Sequence, residues 1–146
     1  MTSPLKSRRA FVTGGSRGIG AGIVRRLAED GARVVFTYSS SVQQAADVVD
    51  DINEDGGWAR AVKADVADPD QLGAAIGQAA EELGGLDILV NNAGILSIGD
   101  VDTATLADFD EIVAVNVRAG FCRNQGGVTA PHRGRQNRDD RQHQRR

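Results

Sequence analysis

The sequence predicts an α/β fold: a doubly wound parallel sheet, incomplete at about four strands in the order 3-2-1-4, with helices on both faces. Three observations predict it. Short apolar, strand-like runs alternate with segments of helical period from Ala10 onward, and the links between them are short and glycine-rich. The fourth run, Leu86-Asp87-Ile88-Leu89-Val90, is almost continuously apolar, as a parallel strand covered on both faces requires. Right-handed crossovers then leave few ways to order the strands.

Each element has its own signal. Ala10-Phe11-Val12-Thr13 reads as a short buried strand ended by Gly14-Gly15. Residues 18–30 read as a helix, with Ile19, Ile23, Val24 and Leu27 on its apolar stripe and Gly31 as the C-cap. Residues 33–38, β-branched and aromatic, form a second strand. A second helix runs from Ser41 to roughly Asp55, opened by serines and stopped by Gly56-Gly57. Trp58 to Ala64 is the third strand. Asp68-Pro69 supplies an N-cap and a proline at the first helical position, opening a helix to about Leu83. After the fourth strand, Thr103 to about Ala119 forms a fourth helix with Leu106, Phe109, Ile112, Val113 and Val117 along its apolar face. The chain has no internal repeats.

Length and composition narrow the class. A chain of 146 residues is one domain by the usual prior and long enough to bury a core. At 40% hydrophobic and 25% charged, it has the balance of a soluble globular protein. No run approaches the roughly 18 apolar residues of a membrane span. The basic residues before Ala10 have no apolar stretch behind them, so no secretory signal is expected. A single cysteine, Cys122, makes no internal disulfide, which fits a reducing compartment, and a cytoplasmic location is expected. The net charge of −3 conceals a split: residues 1–120 carry 10 basic and 18 acidic side chains, whereas residues 121–146 carry 7 arginines and 2 aspartates.

The chemistry begins between the first strand and the first helix. Thr13-Gly14-Gly15-Ser16-Arg17-Gly18-Ile19-Gly20 spaces its glycines as G-x-x-x-G-x-G. Such a loop turns sharply, allows a pyrophosphate close to the backbone, and presents free N–H groups of a helix N-terminus to it. The plain alternative is a glycine-rich strand-to-helix turn. Further on stand Asp65-Val66, then Asn91-Asn92-Ala93-Gly94, then Asn116. Taken singly, these read equally well as a helix-entry acid, a turn and an ordinary helix polar residue. No metal site is expected.

In order and register, these four motifs resemble the short-chain dehydrogenase/reductase family over residues about 5 to 121, most closely its 3-oxoacyl-carrier-protein reductase branch. The resemblance implies a Rossmann-type sheet and a cofactor-binding set of Gly14, Ser16, Arg17, Gly18, Ile19, Gly20, Ser39, Ser40, Asp65, Val66, Asn92, Ala93 and Gly94. Gly14, Gly18 and Gly20 would shape the pyrophosphate loop. Asp65 would accept a hydrogen bond from the adenine amino group beside Val66. Asn92, Ala93 and Gly94 would line the ribose and nicotinamide side, with Asn91 tying adjacent strands together. Asn116 matches the catalytic asparagine that helps position a water in the family's proton relay.

The end of the second strand selects the nucleotide. It reads Thr37-Tyr38-Ser39-Ser40-Ser41, without the carboxylate that holds a ribose 2′-OH in NAD-specific sheets. Hydroxyls donate to a 2′-phosphate, and the Arg17 guanidinium reaches the same group. NADP(H) is therefore the expected cofactor. The implied function is NADP(H)-dependent hydride transfer between a small-molecule carbonyl and its alcohol.

The family's acid/base pair is a Tyr-x-x-x-Lys after the fifth strand, with a substrate-orienting serine. This sequence has one tyrosine, Tyr38, and two lysines, Lys6 and Lys63, and contains no Tyr-x-x-x-Lys. Residues 1–121 are thus expected to form the dinucleotide-binding domain and residues 122–146 a basic, low-complexity, disordered tail. The tail has no aromatic interleaving or folded motif, so nucleic acid is not an expected partner. A homo-oligomer is compatible with the family, a non-catalytic NADP(H)-binding module is the alternative function, and a methyltransferase on the same sheet leaves Asn91–Gly94 without a role. Without a fifth strand the fourth becomes an open apolar edge, which predicts low solubility.

An out-of-frame origin is expected for the tail. Codons compatible with Arg135–Gln144, read one nucleotide later, permit Gly-Arg-Ile-Val-Thr-Ile-Gly-Ser-Thr, which resembles the family's fifth strand running into its serine. Sequencing the coding DNA past codon 121 should reveal a downstream Tyr-x-x-x-Lys in the shifted frame. Stop codons there would refute this origin.

Overall fold

The structure, a computed structural model, describes residues 3–94 and 105–118. Strands β1 (Arg9–Val12), β2 (Arg33–Tyr38), β3 (Trp58–Lys63) and β4 (Ile88–Val90) form one sheet in the order β3-β2-β1-β4. Every neighbouring pair is parallel, as the sequence predicts. Helices α1 (Gly18–Glu29), α2 (Val42–Glu54) and α3 (Pro69–Leu83) make the crossovers, and α4 (Leu106–Val113) follows β4.

The pleat divides the core between two faces. Val34 and Phe36 of β2 point with Ala10 and Val12 toward α1 and α2, where Val24, Ala28, Val48 and Ile52 meet them. Val35 and Phe11 point the other way, onto Leu72, Ile76, Ala79 and Leu83 of α3. Phe11 and Phe36 are fully buried, each contributing about 1.5–3 kcal/mol of apolar burial. Asp68 caps α3, accepting from the N–H groups of Asp70 and Gln71 at 2.9 and 3.3 Å, with Pro69 at the first helical position.

Several boundaries differ from the sequence reading. Thr13 lies one residue beyond β1, and Ala64 one beyond β3. Asp30 is the C-cap of α1, and Gly31 follows it in the left-handed region at φ +97°. Helix α2 starts at Val42, and Ser41 before it makes no side-chain cap. Ile19 is 78% exposed instead of joining the α1 stripe, because the face of α1 that packs inward carries Gly20, Ala21, Val24 and Ala28.

Helix α4 opens at Leu106 behind a Thr105–Asp108 capping box and passes into a π-helical turn, Ala114–Arg118. Leu106 and Phe109, expected on a buried stripe, are 82% and 61% exposed; burial starts in the π turn, at Ala114 and Val115. The expected ends of this helix, at Thr103 and Ala119, the side chain of Val117, and the segment 122–146 lie outside the described residues. Among the described residues no helix is long and apolar enough to cross a membrane, and no cluster of His, Cys, Asp or Glu could hold a metal ion.

Strand β4 is shorter than expected and half-buried, since among the described residues it pairs only with β1. Leu86 and Asp87 precede it, and Asp87 clasps Arg9 of β1 through both side chain and main chain. The Arg9 guanidinium donates to both Asp87 oxygens, at 2.9 and 3.0 Å, and to the Gly84 carbonyl. The Arg9 N–H also donates to Asp87 Oδ2 at 3.0 Å, and the Asp87 N–H donates to the Arg9 carbonyl at 2.9 Å.

The Arg9 side-chain hydrogen bond holds the Asp87 carboxyl below its ordinary value of 3.8, against the opposing effect of burial. A depressed folded-state pKa contributes stability that is present above the unfolded value and lost as pH falls through the folded one. Asp87→Asn should therefore lower the melting temperature at pH 7, and the gap to wild type should begin to narrow as the pH falls below about 4. Calorimetry at pH 7 and pH 3 checks this; an equal gap at both would remove the carboxylate's role.

Candidate functional site

Parallel strands place all their C-terminal ends along one edge of the sheet. The glycine loop leaves β1 there, Ser39 and Ser40 leave β2, Asp65 and Val66 leave β3, and Asn92, Ala93 and Gly94 leave β4. The order β3-β2-β1-β4 makes the chain reverse its direction of travel between β1 and β4. That reversal opens a crevice at the strand ends, where doubly wound sheets bind ligands. The structure brings the loop and the Asn92–Gly94 segment together across it.

The contact is polar and half-buried. Thr13, with 0% exposure, accepts at Oγ1 from the N–H groups of Asn92 and Ala93, at 3.1 and 3.0 Å. The Asn92 side-chain amide donates to the carbonyls of Thr13 and Gly14, at 3.1 and 2.9 Å. The tie between strands is therefore made by Asn92. Asn91, expected in that role, is exposed.

The glycines of the loop differ in function. A Cβ on Gly20 would lie 1.9 Å from the Gly14 carbonyl oxygen and 2.5 Å from Asn92 Nδ2, so the loop closes on itself at that position. Gly14, at φ +69°, takes the left-handed turn against Ala93, 3.1 Å from where its Cβ would stand. Gly18, at φ +55°, has nothing within 4 Å of its would-be Cβ and faces open space. Helix α1 begins there. The N–H groups of its first turn, Gly18-Ile19-Gly20, have no intrahelical acceptor, and Arg17 at the N-cap makes no side-chain capping bond. No acidic residue occupies this first turn. An uncapped helix start with a partial positive charge facing open space suits an anion.

The other expected residues stand around this centre. Arg17, Ser39 and Ser40 are exposed, and Ser16 is half-buried. Asp65 receives the Ala67 N–H on Oδ1 at 2.9 Å, and Val66 packs on the α3-side core. Asn116 lies in the π turn, where a Cβ on Gly94 would come within 3.0 Å of its Oδ1, so α4 returns to the end of β4. Thr37 departs from expectation. Its hydroxyl is 1% exposed and accepts the Gly14 N–H at 3.1 Å, so it is committed to the loop and closed to a phosphate. The signal for this was a threonine at the end of two neighbouring apolar strands, Thr13 after β1 and Thr37 in β2.

A cavity of about 850 Å³ lies at the opposite edge of the sheet, beside Gly31, Arg33 and Trp58. It has no part in the crevice. Arg25 there is paired with Asp51 at 2.7 Å, and Arg33 stacks 4.3 Å above the Trp58 ring.

The profile described as "short chain dehydrogenase" matches residues 8–132. The chain belongs to the short-chain dehydrogenase/reductase family. A versicolorin reductase of Emericella nidulans is 44% identical over 117 residues, which is 80% of this chain and 44% of that protein. A trihydroxynaphthalene reductase of Colletotrichum orbiculare is 38% identical over 120 residues, 82% of this chain and 43% of the relative. Among solved structures, a short-chain dehydrogenase of Burkholderia cenocepacia in complex with NADP superposes with a TM-score of 0.82 at 51% identity, over 84% of this chain and 50% of that one. A blue fluorescent protein from a metagenomic library, in complex with NADPH, gives 0.83 at 48% identity, over 87% and 52%. This member of the family spans about half the length of the relatives it matches.

Two glycine substitutions separate loop closure from helix propensity. Gly20→Ala should destabilise by about 1–3 kcal/mol, since backbone must move to admit the methyl group. Gly22→Ala, two residues along α1 with open space around it, should stabilise by roughly 0.5–1 kcal/mol. Urea denaturation of both variants measures the pair; equal effects would show that the loop has slack.

Proposed function

We propose that the crevice between β1 and β4 binds NADP(H), and that the protein belongs to the family's oxidoreductases that interconvert a small-molecule carbonyl and its alcohol. The observation that carries the reading is the uncapped first turn of α1, which faces open space at Gly18 while Gly20 packs against Gly14 and Asn92. The residues present fit the cofactor: a loop that tolerates no Cβ at Gly20, free N–H donors, and a guanidinium beside them. When bound, the nicotinamide would supply or accept a hydride.

The chain's own residues do the holding. Gly14, Ser16, Gly18, Ile19 and Gly20 form the pyrophosphate loop, and the exposed Ile19 gives the dinucleotide an apolar surface. Asp65 keeps one carboxylate oxygen, Oδ2, for the adenine amino group while Oδ1 holds the Ala67 N–H. Ala93 and Gly94 border the nicotinamide side, and Asn116 beside Gly94 marks where the family's proton relay would run. Arg17, Ser39 and Ser40 bind the 2′-phosphate, and no carboxylate stands at the end of β2 to repel it.

Proton transfer is a separate matter. Tyr38 and Lys63 are register partners at the ends of β2 and β3, on the far side of β1 from β4, so they do not form the family's acid/base pair at the crevice. That placement of Tyr38 and Lys63 gives the second reading, a non-catalytic NADP(H)-binding module, its support.

Titration of the purified chain by NADPH fluorescence should saturate, with NADH weaker. Arg17→Ala should weaken NADPH by about tenfold or more while leaving NADH nearly unchanged, since one charge-assisted contact is lost. The absence of saturable NADPH binding by a folded chain would overturn the reading.

A further inference from the structure

We infer that Thr37 is a positioning residue: it seats the glycine loop on β2 and so reserves the first turn of α1 as the loop's donor surface. The inference rests on the cofactor reading above and adds a residue to it.

The β1–β2 ladder ends at Val12↔Phe36. One residue on, Thr37 takes two donors from the loop. Its Oγ1 accepts the Gly14 N–H at 3.1 Å, and its carbonyl accepts the Gly15 N–H at 3.0 Å. Two consecutive loop N–H groups are thereby turned inward. A pyrophosphate approaching the crevice finds them occupied and meets Gly18, Ile19 and Gly20 instead.

The seat is tight. A Cβ on Gly15 would fall 2.6 Å from the Cβ of Phe36, so the loop lies directly on β2. Asn92 holds the same loop from the β4 side through the Gly14 carbonyl. Gly14 is thus clamped on both sides, its N–H by Thr37 and its carbonyl by Asn92. Of the two clamps, only Thr37 stands on the strand that Ser39 and Ser40 follow.

Removing the hydroxyl while keeping the shape isolates its role. Valine at this position matches threonine in size and leaves a buried N–H unpaired, whereas serine keeps the acceptor. In the ¹⁵N-labelled full chain without ligand, Thr37→Val should exchange the Gly14 amide about tenfold faster or more, and Thr37→Ser should stay near wild type. NADPH and NADH should both bind about tenfold more weakly to Thr37→Val, unlike the selective loss expected for Arg17→Ala, and Thr37→Ser should restore both. Circular dichroism confirms the fold of each variant.

Unchanged Gly14 exchange in Thr37→Val, or a Thr37→Ser variant as impaired as the valine, overturns the inference. If wild type binds neither dinucleotide while Gly14 loses protection in Thr37→Val, the seat stands and the cofactor reading falls.

Discussion

The Thr13 hydroxyl and the Asn92 side chain meet where β1 and β4 end, and the arrangement of the crevice depends on that meeting. Thr13 Oγ1 accepts from two main-chain N–H groups that follow β4, and Asn92 Nδ2 donates to two carbonyls that follow β1. The four bonds hold the glycine loop against the Asn92–Gly94 segment in a place where most main-chain groups have left the ladder. Buried main-chain polar groups require partners, and here two side chains supply them. Gly20 completes the junction by having no Cβ to obstruct it.

Strand β4 shows why such junctions matter. It has three residues, is half-buried, and pairs with β1 alone among the described residues. A ladder that short holds its register weakly, yet β4 is clasped at both ends. Arg9 and Asp87 close the lower end with a forked ion pair reinforced through main chain, and Thr13 and Asn92 close the upper end. Charge serves at the solvated end and neutral hydrogen bonds at the buried one, in keeping with the cost of burying charge.

The two faces of the sheet supply the apolar support. Phe11 and Val35 on one face, and Val12, Val34 and Phe36 on the other, pin β1 and β2 between helices, so the loop that leaves β1 starts from a rigid base. The exposed apolar side chains are elsewhere. Ile19 stands at the crevice, Val42 opens α2, and Leu106 and Phe109 stand on α4, which has no fully buried residue before the π turn that follows it. The site thus combines a firm floor with an open upper surface.

Much of this was legible in the chain. Apolar period and glycine punctuation are local, and they determined the elements, the parallel sheet and the order β3-β2-β1-β4; the glycine loop, Asp65 and the Asn91–Gly94 run marked the strand ends that form the crevice. Ends of elements were less legible: Thr13 and Leu86 have strand-like side chains, but where pairing stops depends on a partner far along the chain. The same holds for burial, because Ile19, Leu106 and Phe109 fit a helical stripe and no periodicity tells whether a neighbour covers it. Only the tertiary structure decided that Asn92, and not Asn91, ties the strands, and that Thr37 serves the loop and not the solvent. Those assignments turn on which side of a turn a short side chain faces, and that is settled by hydrogen-bond partners 23 to 80 residues away.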